Sequence, residues 1–272
     1  MNYSTKFFIL LLFIFLSGPT ANQLKAQILH TERFSAILDT SKVIKGNFLP
    51  SFRYRNIQKD FFEIENQADI SLKVGKNIFS LANKFEFSRF GNENILSGGF
   101  LYLEYQRLNE NAKLSLEPYA MQLWQENRGL ELKYAIGSNL RYAVIRQKSF
   151  GAFIGSGMFY EWEKWNYQGT RNTDLIPDNP QDIKTSALRI ASYVSFKKTF
   201  AELITIDASY YYQPTLKNFL ENYRTALSAS ATYNISNYVG LTVLYQNIYD
   251  PNPIVPIPEW YNDITLGLSV SF

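Results

Sequence analysis

Apolar and polar residues alternate with a period of two along most of this chain, and the polar phase carries charge. Between residues 60 and 74 one phase holds Phe62, Ile64, Ala68, Ile70, Leu72 and Val74, while the other holds Glu63, Glu65, Gln67, Asp69, Ser71 and Lys73. Successive side chains of a strand point to opposite faces, so this segment is a strand with one apolar and one charged side. Placing such a charged face in a dry core would cost on the order of several kcal/mol per unpaired group. A wet or ion-paired interior with an apolar exterior removes that conflict, and it inverts the usual arrangement of a soluble sandwich.

The end of the chain repeats the pattern. Ile264, Leu266, Leu268, Val270 and Phe272 share one face, and Asp263, Thr265, Gly267, Ser269 and Ser271 share the other. Similar segments begin near residue 46 and recur at about 60–74, 77–88, 95–107, 112–125, 130–145, 149–163, 185–197, 201–212, 221–234 and 238–248. With the last strand they number twelve, the even count that a closed single-chain membrane barrel requires. The connections sort by parity. Those near 75, 109, 147, 199 and 236 are brief, whereas the long polar ones, at 164–184 and 249–259 among them, all fall in the alternate set. A sandwich has no reason to sort its loops this way, but a barrel with short turns on one side of a membrane does. The expected fold is therefore all-β, a transmembrane antiparallel up-and-down barrel of about twelve strands over residues 46–272.

Ahead of it, Lys6 and the apolar run from Phe7 to Leu16, broken by Ser17, Gly18 and Pro19, read as a secretory leader ending at Ala26. Residues 27–45 have no sustained period and are expected to form a lead-in segment. The leader holds Lys6 and Lys25 and no acid, so removing it takes the formal charge of +3 down by two, to +1. That balance leaves no basic footprint for nucleic acid. The chain contains no cysteine and one histidine, His30, which lies before the first strand. Disulfides, thiolate metal sites and His-based catalysis consequently lack raw material. The expectation is a non-enzyme without cofactor or metal.

The segments Tyr223-Arg224-Thr-Ala-Leu-Ser-Ala-Ser-Ala, Leu241-Thr-Val-Leu-Tyr-Gln-Asn-Ile-Tyr-Asp250 and Leu266-Gly-Leu-Ser-Val-Ser-Phe272 resemble the salt-stress-induced outer-membrane protein family, a barrel family whose domain has no assigned function. The resemblance implies a cell outer-membrane location in a Gram-negative envelope. It also implies insertion by the barrel-assembly machinery through the terminal strand, with Ile264, Leu266, Leu268, Val270 and Phe272 as the signal. It implies no catalytic residue.

On the inward phase the residues expected to line the lumen are Arg53, Arg55, Glu63, Glu65, Asp69, Lys73, Glu104, Glu131, Lys133, Arg141, Arg189, Asp207 and Arg224. Both signs are interleaved, which argues against strong ion selectivity. Twelve strands lie between the filled eight-strand barrels and the open porins of about sixteen to eighteen. The lumen should thus be narrow or plugged. The same-face pairs Glu63 with Glu65 and Glu161 with Glu163 read first as partners of Arg and Lys on neighbouring strands. Pro251, Pro253, Pro256 and Pro258 stiffen the last long loop by fixing φ. Two functions fit: a narrow or gated porin-like channel for ions or small polar solutes, or a non-transporting surface barrel that binds a partner through its long loops. The surroundings expected are outer-membrane lipid, with the chain acting as a monomer.

Overall fold

The computed structural model describes residues 43–56, 60–107, 113–147, 149–236 and 238–271. The leader, most of the lead-in and Phe272 lie outside the described residues. Strand β1 (Ile44–Asn56) is followed by β2 (Asp60–Val74), β3 (Asn77–Phe90), β4 (Glu93–Arg107), β5 (Leu114–Gln125) and β6 (Leu130–Arg146). The second half comprises β7 (Phe150–Trp165), β8 (Ile183–Phe200), β9 (Ile204–Pro214), β10 (Tyr223–Asn234), β11 (Val239–Tyr249) and β12 (Trp260–Ser271). Each strand pairs antiparallel with its neighbours in sequence, and β1 meets β12 to close the barrel. All twelve segments expected from the alternation are present. β1 begins at Ile44, slightly earlier than the alternation suggested.

The connections occupy two ends. At one, the chain turns within a few residues, as at Val74 to Asn77, where Gly75 takes a φ of 61° that a side chain would strain. At the other end lie the segments after β5, β7, β9 and β11, with short 3-10 turns at Glu126–Arg128 and Thr173–Leu175.

The two phases of the alternation go to opposite faces. Ile136, Leu140, Val194, Leu266 and Leu268 are among many large apolar side chains left exposed on the outside. Isolated exposed leucines are ordinary, but a continuous belt exceeds the roughly 300–600 Å² patch a soluble monomer shows and needs an apolar surrounding. Inside, Ser80, Lys84, Glu86, Lys133, Glu161, Arg189, Arg224 and Asp263 are buried. This interior is not a water-filled tube. Two apolar clusters fill much of it, one around Tyr102, Leu123, Phe159 and Trp165, the other around Tyr193, Tyr211, Ile248 and Tyr261. Gly155 faces inward beneath the ring of Tyr193, where a Cβ would collide with it, so the space left by this glycine is filled from the next strand.

The ladder is uneven around the ring. β7 and β8 are in register at every residue from Phe150 opposite Lys198 to Trp165 opposite Ile183. β1 pairs with β2 without interruption from Ile44 opposite Leu72 to Asn56 opposite Asp60. Between β1 and β12 the described residues hold two pairs, Asn47 with Ser271 and Phe48 with Val270. Pro50, which has no N–H for a ladder, stands just past the second pair.

Candidate functional site

The bore is crossed by ion pairs, densest toward the long-loop end. Glu161 and Glu163 lie two apart on β7, hence on one face, and both point inward. Lys133 of β6 donates to Glu161 Oε2 at 2.5 Å and to Glu163 Oε1 at 2.8 Å. Arg189 of β8 donates from Nε to Glu161 Oε1 at 2.5 Å. From β10, Arg224 grips Glu163 with Nη1 at 2.7 Å and Nη2 at 3.2 Å, and its Nε donates to Asp250 Oδ2 at 2.8 Å. Trp165 Nε1 adds a bond to Glu163 Oε2 at 3.0 Å. A bidentate arginine with two further donors satisfies a buried carboxylate through charge-assisted bonds.

Toward the short-turn end, Glu117 of β5 accepts from Gln106 Nε2 at 2.8 Å, from Tyr193 of β8 at 3.3 Å and from Arg141 Nη1 at 3.4 Å. The Arg141 guanidinium also lies 3.7 Å from the centre of the Phe153 ring, a cation–π contact. Tyr102 donates to Glu104. A third group surrounds Lys84 of β3, whose Nζ is 2.9 Å from Glu86, 3.2 Å from Glu65 and 3.9 Å from Asp263 of β12.

The loop after β11 turns into the barrel mouth. Val255 and Ile257 are buried in the apolar cluster that contains Leu123, Leu130 and Trp165. Arg128 of the turn after β5 donates from Nη2 to the Pro258 carbonyl at 3.3 Å, and Asp250 ties the loop's start to Arg224. Burial pulls the Arg128 guanidinium down to about 10, partly offset by the attraction of Asp250, so the group stays charged at neutral pH. The loop that its prolines stiffen is therefore a plug anchored at both ends.

Of the thirteen residues expected in the lumen, Glu104, Lys133, Arg141, Arg189 and Arg224 are buried in the bore. Glu65 reaches it through Lys84. Asp69 and Lys73 are half-buried on the same phase of β2. Asp207 pairs with Lys197 at 3.5 Å near the short-turn end. Arg53 and Glu63 face each other at 3.3 Å, with Arg53 about half exposed, away from the central network. Arg55 stands opposite Phe61 in the β1–β2 ladder, and its side chain is outside the description. Glu131 is displaced. A register shift between Leu130 and Leu132 sends Leu130 into the interior and leaves Glu131 at the rim, bonded to Lys164 and Asn166. The simple alternation that assigned Glu131 inward fails at that bulge, because one extra residue reverses the phase. Ile264, Leu266, Leu268 and Val270 lie exposed on the outer face of β12.

Several members of the site escaped sequence reasoning. Glu117 and Glu86 stood on the right phase without a distinguishing feature. Arg128, Asp250, Val255 and Ile257 lie beyond the strands, where alternation says nothing; the apolar residues among the loop prolines were the available signal.

No protein-family model matches this chain, and no curated protein matches it. Among solved structures it is similar to the NanC porin, at 10% identity and a TM-score of 0.46 over 84% of this chain and 99% of that one. The translocator domain of the autotransporter NalP from Neisseria meningitidis gives 10% identity and 0.46 over 84% and 87%. The Pseudomonas putida toluene transporter TodX gives 9% and 0.36 over 83% and 78%. At such values these likenesses say nothing about what this chain does.

Proposed function

We propose that the protein is an outer-membrane barrel of the salt-stress-induced kind that works as a gated channel for ions or small polar solutes, closed in the conformation described. The membrane part of the reading rests on the inverted faces: an exposed apolar belt outside, buried charge within, and no free sheet faces to pack against anything else. Aromatic side chains such as Tyr212, Tyr223, Tyr249 and Trp260 gather at the long-loop rim, with ring centres 4.3 to 6.1 Å apart in the chain of contacts. That placement suits a membrane interface.

The observation that carries the channel reading is the plug's attachment. The loop from Asp250 to Glu259 is held by charge-assisted and backbone contacts to Arg224 and Arg128 rather than by a strand ladder, and it covers a bore lined by charge. A loop held by two polar anchors and the side chains of Val255 and Ile257, with no ladder of its own, can leave without breaking the barrel, whose own hydrogen bonds are satisfied between strands.

In planar bilayers the intact chain should be silent most of the time. Replacing Pro251–Pro258 by a short Gly-Ser linker should give frequent conductance steps, and Arg224→Ser should raise the open fraction by loosening one anchor. A silent membrane with both variants folded would overturn the channel, leaving the surface-binding barrel in its place. Recovery of the chain from a soluble periplasmic fraction would remove the membrane reading altogether.

A further inference from the structure

The ring closes unevenly. Beyond Phe48 and Val270, the described residues of β1 and β12 hold no further registered pair, although both continue as strands and each keeps a full ladder with its other neighbour. On the register of the two existing pairs, Phe52 would face Leu266, and both side chains are about two-thirds exposed on the outer surface. On the inner side, Lys84 reaches from β3 past β1 and β2 to Asp263 of β12 at 3.9 Å. This contact spans the interval in which the ladder is absent.

At the foot of the same seam the outer surface is hollow. A cavity of about 340 Å³ is walled by Phe48, Ala68, Ile70, Leu81 and Val270, with Asn83 at its edge. That volume is at the lower end of small-ligand sites, about 300–1,000 Å³. Its walls are almost wholly apolar and accept an alkyl chain, with the Asn83 amide at the edge for a polar head. An ordinary barrel wall offers neither a hollow nor an unladdered neighbour.

We infer that the β1–β12 seam is a lateral opening between bilayer and bore, through which a single-chain amphiphile held in the outer cavity passes when the Lys84–Asp263 contact releases. The inference rests on the outer-membrane reading. The two existing pairs hinge the strands at the short-turn end. The segments above them part without breaking a ladder pair, since the described residues hold none there. Lys84 is the latch because it touches both sides, and Glu65 and Glu86 hold it in place when Asp263 moves away.

The chain has no cysteine, so nitroxides can be placed by Phe52→Cys with Leu266→Cys across the seam and by Ile154→Cys with Val194→Cys across β7–β8. In lipid nanodiscs the seam pair should show a broad distribution with a second, longer distance. Lys84→Met and, independently, Asp263→Asn should enlarge that second population at least twofold, while the β7–β8 pair stays narrow. Dansyl-undecanoate should bind saturably to the unlabelled chain, and Ala68→Trp, which fills the cavity, should weaken that binding at least tenfold. A seam as narrow as β7–β8 in all three backgrounds, or binding indifferent to Ala68→Trp, overturns the opening while leaving the membrane barrel standing. Failure of the chain to float with phospholipid vesicles overturns both.

Discussion

The wall formed by β6, β7 and β8 and the seam between β1 and β12 belong to one antiparallel sheet, yet they are held by different forces. The wall has a ladder along the full length of its strands, interrupted only by bulges at Leu130/Leu132 and Ala143/Ile145, and behind it Lys133, Glu161, Glu163 and Arg189 fasten three strands through side chains. The seam has two ladder pairs and one long ion pair. Backbone hydrogen bonds in a membrane must find partners within the protein, so a ring can economise on them only where something else shields the edge. The comparison teaches that closure of a barrel is a global property that leaves local strength free to vary.

The largest test of this contrast removes the wall's central charge. Glu163→Ala would take from buried Arg224 its bidentate acceptor and from Lys133 one of its two carboxylates, and breaking such a cluster costs about 3–5 kcal/mol. Urea unfolding followed by heat-modifiable gel migration should show that loss, and a shift below about 1 kcal/mol would mean that water reaches the network. Glu161→Ala should behave similarly. Next in size, Leu140→Arg on the outer face of β6 should cost roughly 2–4 kcal/mol in membrane assembly if it sits near the midplane. Leu268→Arg should cost less, because the unladdered strands beside it can yield; equal penalties at the two positions would erase the distinction between wall and seam.

A smaller effect needs no mutation. Amide hydrogens of Phe52, Tyr54, Ile264 and Leu266 should exchange about tenfold faster than those of Ile154 and Met158, since local opening governs exchange. Uniform protection around the ring would contradict the broken ladder. The smallest effect belongs to Arg53→Ser. Its pair with Glu63 is half exposed, and such pairs contribute about 0–1 kcal/mol. A large loss there would place Arg53 in the central network, where the described geometry does not put it.

Much of this architecture was legible in the sequence because a strand translates alternation directly into facing. The strand count, the sorting of turns and the burial of Lys133, Arg141, Arg189 and Arg224 follow from a period of two and from parity. The reading failed where that period is interrupted: the bulge at Leu130 and Leu132 moved Glu131 to the rim. It was incomplete where partners come from distant strands. Nothing in the spacing of Glu117 and Tyr193 says that the two meet, since barrel curvature, not sequence, brings β5 near β8. The inward path of Val255 and Ile257 was likewise hidden, because a loop has no period from which to infer direction. Pro50 has no N–H to give a ladder, and the β1–β12 ladder stops beside it.

The two-pair closure also bears on how the molecule comes into being. Every other ladder joins strands adjacent in sequence and can zip from a turn, whereas Phe48 and Val270 lie almost the whole described chain apart. Bringing distant ends together carries an entropy penalty that grows with the logarithm of the loop, and few backbone bonds reward it here. The ring should therefore form as an open, fully zipped sheet first and close last, in a step that is slow and readily reversed.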